Sequence, residues 1–108
     1  MKSFDFAKMA PYTGRPGFAG RFIHTEGATV AHWEIRKGTP LADHSHPHEQ
    51  VTVLLSGKLE LHCGGESRTL SPGQGIVFAG GEPHGGTALE DCLVMDVFCP
   101  PREDFKKL

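Results

Sequence analysis

The chain has 108 residues, a formal net charge of -2 at pH 7 and a pI near 6.4, which bounds it to one domain and leaves no basic field to gather nucleic acid or anionic lipid. No apolar run approaches the roughly 20 residues of a membrane-spanning helix, and the opening MKSFDFAKMA lacks the apolar core of a secretory leader, so a cytoplasmic protein is expected, with no membrane and no nucleic-acid partner. The cysteines Cys63, Cys92 and Cys99 form no CxxC pair and read as free, mostly buried thiols.

Residues 1–27 are the least decisive stretch; FDFAK and GFAGRFI there supply an edge strand, or an arm that covers the domain or a partner subunit. Residues 28–108 read as one all-β domain. Strands are expected at Ala28 to Arg36, Gln50 to Leu55, Lys58 to Cys63, Ser67 to Leu70, Gly75 to Phe78, His84 to Ala88 and Cys92 to Phe98. The 14 glycines and 8 prolines supply the turns between them. Ser56-Gly57 and Gly64-Gly65-Glu66 bracket the LELHC run as hairpin turns, and Ser71-Pro72-Gly73 starts another turn. No window keeps a helical apolar period free of Gly or Pro, apart from a short turn after Pro101.

Seven histidines are many for this length, and His44, His46 and His48 fall together. In extended chain, residues two apart point to one side, so His44 and His46 deliver two imidazoles to a single point. Gln50 enters the next strand with an amide oxygen as a neutral ligand, and His84 completes the set from another strand. A mixed nitrogen and oxygen shell without thiolates suits one divalent ion, Zn, Ni, Fe, Mn or Co. Glu49 has the opposite strand parity to Gln50 and is the weaker ligand. His48 is open between a role beside the substrate or the ligands and plain surface, and His24 and His62 read as surface residues.

The run from Gly38 through His44, His46 and Gln50 to Gly57 resembles the first cupin motif, in which the position of Gln50 is usually Glu. The segment Gly75 to His84, GIVFAGGEPH, resembles the second, with His84 as the metal ligand. That resemblance implies a single cupin, a jelly-roll β-barrel.

The final strand, CLVMDVF, is apolar on both faces except at Asp96. Alternation puts Asp96 with Val94 and Phe98 on the inner face, and Leu93, Met95 and Val97 outside. A carboxylate in an apolar wall needs a partner or a raised pKa, which makes Asp96 a candidate general acid or base. Arg102, just past Pro100 and Pro101, is a candidate clamp for a substrate carboxylate through two hydrogen bonds; the alternative is an ion pair with Asp96 or Glu103.

The tail MDVFCPPREDF together with HSHPHEQ is similar to the KdgF group of cupins, which bring 4,5-unsaturated uronates released by pectin and alginate lyases toward the linear keto form. The resemblance implies His44, His46, Gln50 and His84 as metal ligands and Asp96 and Arg102 as the residues that serve the chemistry. A sugar acid is then the small-molecule substrate. A cupin dioxygenase and a non-enzymatic small-molecule-binding cupin are the alternatives. The apolar outer face of Leu93, Met95 and Val97 would be costly to expose, so a homodimer is expected.

Overall fold

The computed structural model describes all residues, 1–108. Nine strands form: β1 Phe18–His24, β2 Thr29–Ile35, β3 Pro40–His44, β4 Glu49–Ser56, β5 Leu59–Cys63, β6 Glu66–Leu70, β7 Gly75–Phe78, β8 His84–Ala88 and β9 Cys92–Cys99. They build two antiparallel sheets, ordered β1-β2-β9-β4-β7 and β3-β8-β5-β6. The two sheets face each other as a jelly roll, and their hydrogen-bonded ladders stay separate and do not close into one ring. No helix is long and apolar enough to cross a membrane.

All seven strands expected from the sequence form. Two further strands appear. GFAGRFI makes the edge strand β1, which pairs with β2 from Phe18↔Ile35 to His24↔Thr29. β3 was not legible, because PLADH shows no apolar alternation; β8 recruits it by pairing Pro40↔Thr87 and His44↔His84. The expected turn after Pro101 is a single 3-10 turn, Phe105–Lys107.

One turn differs in kind. Gly64 and Gly65 both have positive φ and join β5 to β6 as a tight hairpin, as expected. Ser56-Gly57 instead carries the chain from one sheet to the other, since β4 pairs with β7 and β9 whereas β5 pairs with β6 and β8. Gly57 has φ 93°, and a Cβ there would strike the Asp91 carbonyl, so this crossover requires glycine. Local turn chemistry signals a reversal, and only tertiary pairing decides which strand receives it.

The first residues lie on the outer face of the larger sheet. Phe6 stacks on His32 with ring centroids 4.5 Å apart, Arg21 Nε donates to the Met9 carbonyl at 2.9 Å, and Tyr12 bridges to Gly20 at the sheet edge. Inside, Ala31, Trp33, Ile35, Leu54, Leu59, Leu61, Phe78, Val94, Phe98 and Phe105 form one apolar core. Removing such a large side chain from water contributes roughly 1.5–3 kcal/mol. The cysteines are free, with Cys92 buried, Cys63 half-buried and Cys99 exposed, so only one matches the buried expectation.

Candidate metal centre

The strand register stacks the polar residues at one end of the interior. Gln50 lies opposite Phe98, and Thr52 lies opposite Asp96, on the inward faces of β4 and β9. His84 starts β8 beside His44 at the end of β3, and His46 follows in the loop to β4. The candidate ligand nitrogens of His44, His46 and His84 all lie within 4.8 Å of one another. The structure therefore brings all six candidate site residues to one region.

Each imidazole is oriented by a backbone carbonyl. The Nδ1 atoms of His44, His46 and His84 lie 2.8, 3.1 and 2.8 Å from the carbonyl oxygens of Ala42, His48 and Glu82. A carbonyl only accepts, so each Nδ1 carries the proton and each Nε2 turns its lone pair to the shared point. Nε2 of His84 is buried and has no hydrogen-bond partner. Burial lowers the pKa of His46 and of His84, which keeps both rings neutral and ready to ligate. Phe78 stacks on His84 at 4.2 Å and fixes its ring plane.

The fourth group fits the same reading. Gln50 Oε1 lies 2.9 Å from His46 Nε2, so two acceptor atoms face each other across a distance that suits two ligands of one cation. The donor set of three imidazoles and one amide oxygen, with an orphaned buried nitrogen, fits a divalent metal ion.

Behind Gln50 is Asp96, 8% exposed. Its Oδ1 accepts from Thr52 Oγ1 at 2.6 Å and from Gln50 Nε2 at 3.3 Å. Burial pushes the Asp96 carboxyl up to about 6, against the opposing pull of these hydrogen bonds and of Arg102. Arg102 is also buried, its guanidinium 4.0 Å from the Phe105 ring centroid and 4.7 Å from that of Phe98. The ion pairs considered with Asp96 and Glu103 give way to Asp104, which accepts from Nε at 2.9 Å and from Nη2 at 2.8 Å. The fork expected to clamp a substrate is thus engaged, and Nη1 remains outside that pair. Thr29, fully buried, accepts from the Arg102 backbone N–H at 2.9 Å and anchors the tail.

His44, Gln50, His84, Asp96 and Arg102 share one cavity of about 710 Å³ that runs between the sheets and is floored by Trp33, Leu59 and Phe78. His48 packs edge-on against Phe98 and serves the site through its carbonyl. His62 stays outside, on Asp43 at 2.6 Å, and His24 bonds Thr29 at 2.8 Å. Sequence reasoning missed Thr52 and Asp104. Thr52 was within reach, since it follows Gln50 by two residues on the same strand face.

The Cupin domain family matches residues 31–98. The pectin degradation protein KdgF of Dickeya dadantii (strain 3937) is 36% identical over 70 residues, which cover 63% of this chain and 61% of that protein. The matched segment thus spans less than two thirds of that relative. The solved structure of KdgF from Halomonas sp. aligns with a TM-score of 0.92 and 31% identity over 96% of this chain and 99% of that one. An RmlC-like cupin from Shewanella frigidimarina NCIMB 400 aligns with a TM-score of 0.90 over 97% of this chain and 96% of that one; at 21% identity it speaks for the fold alone.

Proposed function

The chain belongs to the cupin domain family, and on that premise we propose that it opens the ring of 4,5-unsaturated uronates from pectin and alginate breakdown, or of a related sugar acid, to the linear keto form. The observation that carries this reading is a buried carboxylate and a guanidinium in the same cavity as the convergent imidazoles. His44, His46, Gln50 and His84 would hold the divalent ion, Zn, Ni, Fe, Mn or Co. When bound, that ion supplies Lewis-acid stabilisation to negative charge developing on a substrate oxygen.

The protein's own groups carry the proton and the orientation. Asp96, with its carboxyl near 6, takes the proton of the anomeric hydroxyl as the bond from C1 to the ring oxygen breaks and the C1 aldehyde forms. The electron pair passes to the former ring oxygen, giving an enolate across C4 and C5. Asp96 then returns its proton to C4 while the C5 carbonyl forms, so no net proton is consumed and nothing is oxidised or reduced. Arg102, held between Phe98 and Phe105, offers Nη1 to the uronate carboxylate. The apolar wall keeps bulk water from competing for these groups.

The second partner in this reading is another copy of the chain. Val51, Val53, Val77, Met95 and Val97 form an apolar stripe on the outer face of the larger sheet, alongside the part that Phe6 covers. A homodimer would bury it.

The test is to incubate metal-replete protein and Asp96→Ala with 4,5-unsaturated galacturonate and mannuronate, following loss of the conjugated ultraviolet absorbance and the products by proton NMR. Faster linearisation by the wild type than by the variant is expected. If neither protein exceeds the spontaneous rate on either sugar, the uronate reading falls.

A further inference from the structure

We infer that Thr52 is a positioning residue for the metal centre: its hydroxyl, committed to Asp96, fixes which end of the Gln50 amide faces the histidines. The inference rests on the metal-holding reading of His44, His46, Gln50 and His84.

An amide side chain has two ends of nearly equal shape and opposite chemistry, since the oxygen can ligate a cation and the NH₂ cannot. A half-turn of the Gln50 amide would therefore turn a four-ligand site into one with three ligands and a donor aimed at the ion. Shape does not decide between the two orientations, so the hydrogen-bond partners at the inner end must.

Thr52 decides it through the direction of one proton. A threonine hydroxyl has a single hydrogen to donate. At 2.6 Å from Asp96 Oδ1, an acceptor, that hydrogen is spent on the carboxylate. Toward Gln50, 2.9 Å away, the same oxygen has only lone pairs left, so it can accept and cannot donate. Asp96 Oδ1, 3.3 Å from the same amide, also accepts. The inner end of the amide thus meets two acceptors and must be the NH₂. Its oxygen is then turned outward, to within 2.9 Å of His46 Nε2. Thr52 is 3% exposed, so water does not take over the role.

The placement is built into the sheet. Gln50 and Thr52 share the inward face of β4 two residues apart, and Asp96 is the cross-strand partner of Thr52 on β9. Asp96 alone accepts at a longer distance from the amide, and without the hydroxyl that single weak bond is all that resists the half-turn.

The experiment compares wild type, Thr52→Val and Thr52→Ser as full chains, stripped with a chelator and titrated with Co²⁺, following the visible d–d spectrum and the apparent Kd. Val keeps the shape and strand preference of Thr while deleting the hydroxyl. Expected are about 10–100-fold weaker Co²⁺ binding and an altered d–d spectrum in Thr52→Val, with Thr52→Ser close to wild type. A general packing defect would lower the melting midpoint without changing the spectrum. Equal affinity and an unchanged spectrum in Thr52→Val overturn the inference, as does a Thr52→Ser variant as weak as Thr52→Val. Should Thr52→Val not fold, the wild type still decides. The Gln50 side-chain NH₂ protons, followed by nitrogen-15 NMR, should be protected from solvent exchange before and after the metal is added, and rapid exchange overturns the proposal. A wild type that binds no Co²⁺ overturns the metal reading first and the inference with it.

Discussion

The two ends of the interior differ in what keeps them in place. At one end Leu54, Val94, Trp33, Ile35 and Leu59 meet across the sheets, all buried and all apolar. At the other, Gln50, Thr52, Asp96, His84 and Arg102 are also buried, and each has at least one side-chain atom aimed by a hydrogen bond. The first end gains stability from area removed from water, which is tolerant of direction. The second gains little net stability from its polar groups and depends on direction throughout. A single β-scaffold thus carries a stabilising end and, next to it along β4 and β9, a candidate functional end.

Substitutions at each end should therefore separate activity from stability. At the polar end, Asp96→Asn should lower kcat on an unsaturated uronate by about 10²–10⁴-fold, the usual weight of a positioned general acid or base. It should leave the melting midpoint unchanged or raise it, because burying a charge is what pushes Asp96 up to about 6. A lowered midpoint with normal kcat would reverse the assignment of the two ends. At the apolar end, Leu54→Ala should cost about 2–5 kcal/mol in urea unfolding while kcat of the folded fraction holds.

The pH dependence of metal-stripped protein sharpens the same contrast. Asp96 titrates near 6 in the folded chain and at its ordinary 3.8 when unfolded, so between these values the folded state holds the extra proton. Stability contributed this way is fully present below about pH 4 and is lost as pH rises through about 6. Urea midpoints should fall over that window in wild type and stay flatter in Asp96→Asn.

The outer face offers a weaker test. Val77, 64% exposed, lies on the apolar stripe, and if the proposed homodimer buries that stripe, Val77→Lys should give a monomer in light scattering without altering the fold by circular dichroism. The smallest effect is expected at Asp104, which Arg102 holds down at about 2. Its side chain is 61% exposed, so Asp104→Asn should cost only about 0–1 kcal/mol of stability. Its effect should appear instead as a raised KM for the uronate, with kcat little changed, because the Arg102 fork loses its partner.

The cupin motifs, the six candidate residues and seven strands were legible because each is a local pattern. The spacing of His44 and His46, the apolar alternation around Asp96 and the glycine-marked turns are written in neighbouring residues. Extended chain sets the geometry of those that lie on strands, whereas His46 sits in the loop before β4. Membership of two sheets is different. Ser56-Gly57 looks like a hairpin and is a crossover, and PLADH has no strand pattern and becomes β3 because β8 pairs with it.

The details of the site belong wholly to tertiary structure. That the Arg102 fork closes on Asp104, that three imidazoles are aimed by the carbonyls of Ala42, His48 and Glu82, and that Thr52 spends its proton on Asp96 all depend on directions in space. Sequence determined which chemical groups this protein owns and, for those on strands, which face carries each, because alternation along a strand is fixed by backbone geometry. Only the packed sheets decided which donor meets which acceptor, because hydrogen bonds and ligation form within a few ångströms between residues far apart in the chain.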